Sequence, residues 1–135
     1  MMMLNVCVRN LVKIENLSDT LQRFDCSYNS ISTIENLPDN LQDFYCYRNN
    51  INQIQNLPDT LQGFYCSGNS ISVIENLPNG LKSFYYCGNP IEFVDDIQIS
   101  WFNERGGFDL NWYNIIKHLQ RRIKLRFRIN ASARM

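Results

Sequence analysis

The sequence predicts a solenoid of stacked coils, each contributing one short strand to a parallel sheet. Three observations predict it. The chain repeats every twenty residues, so that Asn36-Leu37-Pro38-Asp39-Asn40-Leu41-Gln42-Asp43-Phe44-Tyr45-Cys46 returns as Asn56-Leu57-Pro58-Asp59-Thr60-Leu61-Gln62-Gly63-Phe64-Tyr65-Cys66. Laid in register, the apolar residues of every copy fall into fixed columns. Between those columns runs one of asparagine: Asn29, Asn49, Asn69 and Asn89. Coils this short cannot bury an apolar face alone, and they stack to share one continuous core.

A partial copy at residues 4–16 precedes four full copies at 17–36, 37–56, 57–76 and 77–96, together a solenoid domain over residues 1–96. The leading column is Leu21, Leu41, Leu61, Leu81. Next come Leu4, Phe24, Phe44, Phe64, Phe84, and then Val6, Cys26, Cys46, Cys66, Tyr86. Alternation from residue 24 to 28 predicts a strand with Phe24 and Cys26 inward and Asp25 and Ser27 outward. Beyond the asparagines lie Leu11, Ile31, Ile51, Ile71, Ile91; then Ile14, Ile34, Ile54, Ile74, Val94; then Leu17, Leu37, Leu57, Leu77, Ile97. Twenty residues leave too little chain for a strand plus a helix. The return path is therefore predicted to be extended or polyproline-like, helped by Pro38, Pro58 and Pro78. The asparagines read as structural, bonding backbone groups where each strand ends; an unmet buried donor there would cost about 1–3 kcal/mol.

The spacing L-x-x-F-x-C-x-x-N-x-I resembles the leucine-rich repeat, L-x-x-L-x-L-x-x-N/C-x-L, over residues 4–96. With twenty residues and a Leu-Pro step it is similar to the shortest leucine-rich class, found in secreted bacterial effectors and in small proteins of amoeba-infecting giant viruses. The Ile-Glu-Asn-Leu-Pro flavour and the basic tail resemble the viral group more closely. The resemblance implies a leucine-rich-repeat solenoid with short parallel β-strands on the concave face, an extended convex side and a non-catalytic binding role. Some bacterial members carry a ubiquitin-ligase domain with a catalytic cysteine after the repeats. The 39 residues after residue 96 are too few for one, so that activity is not carried over.

At 135 residues and 44% apolar, the chain is expected to form one domain with a continuous core. Register argues against disulfides among its five cysteines. Cys26, Cys46 and Cys66 share an inward column with parallel Cβ vectors, while Cys7 and Cys87 stand four strand spacings apart, roughly 19 Å. No C-x-x-C pair occurs, and reduced thiols point to an intracellular setting. Met1–Val8 falls in repeat register and lacks a positive leader and a small-residue cleavage site, so it reads as structure rather than as a signal peptide. A cytoplasmic location is the expectation, host cytoplasm for a viral protein.

A net charge of zero conceals an imbalance. Residues 1–108 carry six basic against twelve acidic groups, and residues 109–135 carry seven basic against one acidic. Register fails after Ile97, and residues 97–135 are predicted to form a C-terminal α-helical cap. Asp109 suits a helix N-cap, and Trp112, Ile116, Leu119, Ile123 and Phe127 recur at helical spacing. Trp101, Trp112, Ile116 and Leu119 would cover the end of the last coil, as solenoids require. Lys117, Arg121, Arg122, Lys124, Arg126 and Arg128 make the helix strongly basic. They are either a solvated face or a contact for nucleic acid, an anionic membrane surface or an acidic protein.

Outward strand positions have no packing duty, so they carry the binding expectation. One outward column reads Asn5, Asp25, Tyr45, Tyr65, Tyr85, flanked by Asp43, Tyr47 and Arg48. Tyrosine supplies large, rigid, amphipathic contact area. The expected partner site is Asp25, Asp43, Tyr45, Tyr47, Arg48, Tyr65 and Tyr85, with Arg48 and Asp43 fixing the register of a docked protein segment. Gly63, Gly68 and Gly88 are expected to leave shallow space beside it. Cross-strand packing, or duplication of one parental repeat, would produce the same tyrosine column. At the other end, the strand in residues 4–16 is an edge that a second copy could pair with to form a homodimer.

No enzyme is expected. His118 is the single histidine and stands beside Lys117 on the basic segment. Glu92, Asp95 and Asp96 read as a coil-ending turn rather than a metal site, and no phosphate-binding glycine loop occurs. No cofactor is expected.

Overall fold

The computed structural model describes residues 1–91 together with 93–94 and 97–98. The predicted cap helix, its Asp109 start, its Trp101 and Trp112 anchors, the basic residues Lys117 to Arg128, His118 and the acidic trio at 92, 95 and 96 lie outside the described residues.

Five three-residue strands form one parallel sheet: β1 (Met3–Asn5), β2 (Arg23–Asp25), β4 (Asp43–Tyr45), β6 (Gly63–Tyr65) and β8 (Ser83–Tyr85). Their order is β1-β2-β4-β6-β8, and every pairing steps by the repeat, Leu4 to Phe24 to Phe44 to Phe64 to Phe84. Backbone bonds continue the ladder past the strands, with Cys26, Cys46 and Cys66 N–H donating to Tyr45, Tyr65 and Tyr85 C=O at 2.9, 2.9 and 2.8 Å.

The return path is extended, as predicted, and also holds short strands of its own: β3 (Thr33–Ile34), β5 (Gln53–Ile54), β7 (Val73–Ile74) and β9 (Phe93–Val94). β3 pairs with β5, and β7 with β9, both parallel. The chain then reverses: β10 (Ile97–Gln98) runs antiparallel to β9, so Ile97 pairs with Val94 instead of following the path of Leu37, Leu57 and Leu77.

Between the sheet and the return path lies the core. Phe24, Phe44, Phe64 and Phe84 stack with ring centroids 5.7, 5.8 and 5.5 Å apart. Leu41, Cys46, Ile51 and their counterparts in neighbouring coils are buried around them. Leu4 departs from expectation. It holds the strand register yet is 37% exposed, because no coil packs on its outer side among the described residues. Ser27 also departs: it is buried, because its short hydroxyl turns back to accept the Tyr47 N–H at 3.1 Å.

Asparagine serves this fold in two ways. Nδ2 of Asn49 donates to the carbonyls of Cys26, Cys46 and Tyr47, while its Oδ1 accepts from Ile31 N–H. Asn69 and Asn89 repeat the pattern one and two coils on. Asn16, Asn36, Asn56 and Asn76, just before the Leu-Pro step, instead have φ near +55°, a left-handed turn that asparagine tolerates better than most residues. The Pro38–Leu41, Pro58–Leu61 and Pro78–Leu81 turns then close by i+3 N–H to i C=O bonds of 3.1, 3.1 and 3.3 Å.

Candidate interaction face

Side chains on the outer face of the five-stranded sheet come from two rows, Asn5-Asp25-Tyr45-Tyr65-Tyr85 and Met3-Arg23-Asp43-Gly63-Ser83. Because the strands are in register, the tyrosines stand one above another. Tyr45 and Tyr65 stack with centroids 4.4 Å apart and planes within 2°; Tyr65 and Tyr85 follow at 5.4 Å and 15°. Stacking consumes ring faces. Within the stack the tyrosines therefore display ring edges and phenol oxygens, the cross-strand packing that the sequence left open as an alternative.

The phenols lie over the second row. Arg23 Nη2 donates to the Tyr45 hydroxyl, and its guanidinium carbon is 4.9 Å from the Tyr45 ring centroid. That bond, the Tyr45 phenol charge and then Asp43 raise the Arg23 pKa further. Gly63 is not open space, contrary to expectation. A Cβ there would meet Asp43 Oδ1 at 2.5 Å and Tyr65 Cε2 at 2.7 Å, because the Tyr65 ring already fills the position. Burial raises the Tyr65 phenol pKa, against a hydrogen bond from Ser83 that lowers it.

Tyr47 leans on this stack at 49°, with its centroid 6.3 Å from Tyr45 and 6.1 Å from Tyr65. Burial, followed by the neighbouring Tyr65 and Tyr45 phenols, pushes its pKa up to about 12. Asp25 is half-buried, and its Oδ1 accepts the Ser27 N–H at 3.0 Å, a turn-closing bond that Asn5 repeats with Cys7.

Asp43 and Arg48 do not share a centre. Asp43 belongs to the Arg23–Gly63 row, whereas Arg48 lies past the strand end, its guanidinium carbon 5.9 Å from the Tyr28 ring centroid. Beside that pair is an open depression lined by Tyr28, Tyr47, Arg48, Ser67, Gly68 and Gly88. Arg23 and Tyr28 are thus two members of this face that sequence reasoning left out of the site. Arg23 stands directly across from Asp43 in the repeat register, the one signal that could have placed it there.

No group of histidine, cysteine or acidic residues suited to a metal occurs among the described residues. Their five cysteines are free thiols. Burial pushes Cys26 up to about 12 and raises Cys46 and Cys66 as well, which leaves these thiols protonated and unreactive.

No family model matches the sequence, and no curated protein matches it. Among solved structures, YopM from Yersinia enterocolitica WA-314 is similar in fold, with a TM-score of 0.57 at 19% identity. The match covers 70% of this chain and 28% of YopM, so this chain corresponds to a minor part of that protein's length.

Proposed function

We propose that this chain, a leucine-rich-repeat protein of twenty-residue coils, is a non-catalytic module that binds a polypeptide on its tyrosine face. The carrying observation is the stack of Tyr45, Tyr65 and Tyr85, which stands outside the core and reaches 52% exposure at Tyr85. Tyr47 widens the stack, and Asp43 and Arg48 flank it at opposite ends of the strands. A polypeptide lying across the coils meets a row of hydroxyls and ring edges rather than a flat aromatic surface.

The test is selection of a displayed random-peptide library on the full chain. Tyr45→Ala with Tyr65→Ala should abolish enrichment while moving the thermal midpoint by no more than a few degrees. Unchanged enrichment, or loss of folding, would show the stack to be structural. The charge division supports a second reading, in which the basic segment holding Lys117, Arg121, Arg122, Lys124, Arg126 and Arg128 binds nucleic acid or an anionic membrane. Binding of that kind survives the tyrosine substitutions and collapses between low and moderate salt.

Pairing of two copies through β1 is a further proposal. β1 ends its sheet among the described residues, and Met1, Met2, Met3 and Leu4 are 81, 49, 57 and 37% exposed beside it. Sedimentation of the full chain as a monomer at high concentration removes it. The free thiols support a reducing, cytoplasmic setting, host cytoplasm for a viral chain. Recovery of disulfide-linked chain from its native source would overturn that.

A further inference from the structure

The turn that follows each strand of the sheet passes through a left-handed residue: Val8, Tyr28, Arg48, Gly68 and Gly88, with φ of 55, 58, 48, 74 and 72°. Glycine adopts this backbone freely, and the chain uses it in two of the five coils. Valine, tyrosine and arginine adopt it only with strain, so the first three coils hold side chains where the fold readily takes none. Val8 is not part of the lining of the open depression, whereas Tyr28 and Arg48 stand side by side at its rim, and that placement points to a task for the two side chains.

Their arrangement says which task. Arg48 and Tyr28 are exposed, with the guanidinium over the ring. The Arg48 stem lies across Gly68, where an added Cβ would meet its Cγ at 3.1 Å; a Cβ at Gly88 would meet Gly68 backbone at 3.4 Å. The floor beyond Arg48 is thus bare backbone. Among the described residues the one ion pair is Lys13 with Glu15, so no described carboxylate neutralises Arg48. Tyr47 and Ser67, whose hydroxyls can donate, complete the lining. A planar guanidinium backed by a ring leaves its N–H groups facing outward, the geometry that takes a carboxylate through two parallel bonds.

Resting on the interaction-module reading, we propose that Tyr28, Tyr47, Arg48 and Ser67 around the Gly68–Gly88 floor form a subsite for a carboxylate of a bound polypeptide. The carboxylate is an acidic side chain or a chain terminus. It lies against the guanidinium of Arg48 while the flanking peptide backbone passes over the glycines. The subsite anchors a segment whose remainder crosses the tyrosine stack.

Full-length chain with isotopically labelled arginine and tyrosine would be titrated by NMR with four probes. Acetyl-(Gly-Glu)3-amide offers side-chain carboxylates alone, and acetyl-(Gly-Gln)3 with a free C-terminus offers a terminal carboxylate alone. Acetyl-(Gly-Gln)3-amide offers neither, and inorganic phosphate tests for a general anion site. Expected are saturable shifts of the Arg48 guanidinium and the Tyr28 and Tyr47 rings with one or both carboxylate peptides, the responding peptide identifying the source. Arg48→Gln should weaken that binding at least about tenfold, the loss of one charge-assisted bidentate contact. Arg48→Gly should do the same while raising the thermal midpoint by about 2–4 °C through relief of strain. Equal shifts with the uncharged amide, saturation by phosphate alone, or unchanged affinity in Arg48→Gln each overturn the proposal. Because Arg48→Gln leaves the stack of Tyr45, Tyr65 and Tyr85 in place, its failure is separable from failure of the tyrosine-face reading.

Discussion

Gly63→Ala places a methyl group where the Tyr65 ring and the Asp43 carboxylate now lie. Both obstructing groups are ends of rotatable side chains, so the backbone need not move; the ring must lift. The expected outcome is a folded protein whose thermal midpoint shifts by a few degrees at most and whose near-ultraviolet tyrosine dichroism falls as the 4.4 Å stack opens. An unchanged spectrum would mean the ring has room elsewhere. Peptide enrichment should fall with the dichroism if the closed stack is what a partner reads. This dependence was hidden in the sequence. Gly63 is visible there as a gap in an outward row, but the direction in which Tyr65 leans is set by side-chain packing across three strands.

At the scale of the coil, the asparagine ladder does what the strand hydrogen bonds cannot. Cys26 C=O receives Asn29 and Asn49, Cys46 C=O receives Asn49 and Asn69, and Cys66 C=O receives Asn69 and Asn89. Each carbonyl so uses both lone pairs, and each asparagine joins its own coil to the one before. Asn69→Ala removes the acceptor of Ile51 N–H and one of two donors at Cys46 and Cys66. We expect it to destabilise by about 2–4 kcal/mol, read from the urea midpoint. Asn29→Ala, at a half-buried position where water can substitute, should cost about 1 kcal/mol. Equal losses at the two sites would contradict this role for burial. Here the sequence was legible: a polar residue recurring between buried columns must satisfy backbone, since its unpaired amide could not persist there.

For the whole molecule, the thiol ladder makes stability depend on pH in a direction that can be worked out. Below about pH 9 the thiols are protonated in folded and unfolded chains alike, and the stabilisation is complete. Above it the unfolded chain loses protons first, because burial holds folded Cys26 up at about 12 and raises Cys46. Tyr47, raised from 10 to about 12, adds to the trend. The thermal midpoint should therefore fall steadily as pH rises from 9 toward 12. A flat profile over that range would mean that the thiols are not enclosed. At pH 8 a thiol reagent should label Cys7 and Cys87, which are half-buried, and spare Cys26, Cys46 and Cys66.

A period of twenty residues with invariant apolar columns was enough to determine that coils stack, that strands pair in register and which residues of the inner coils face the core, Ser27 and the end positions Leu4 and Ile97 excepted. Repetition makes the register of one coil the register of all, so local pattern and global shape carry the same information. Side-chain direction on the outer face is different, because it depends on what the neighbouring coil presents at the same height. Only the tertiary structure decided that the tyrosines turn their edges outward, that Arg23 caps their stack and that Arg48 parts from Asp43 to join Tyr28. It alone showed Val8, Tyr28 and Arg48 held in left-handed backbone at the turn where the next two coils use glycine.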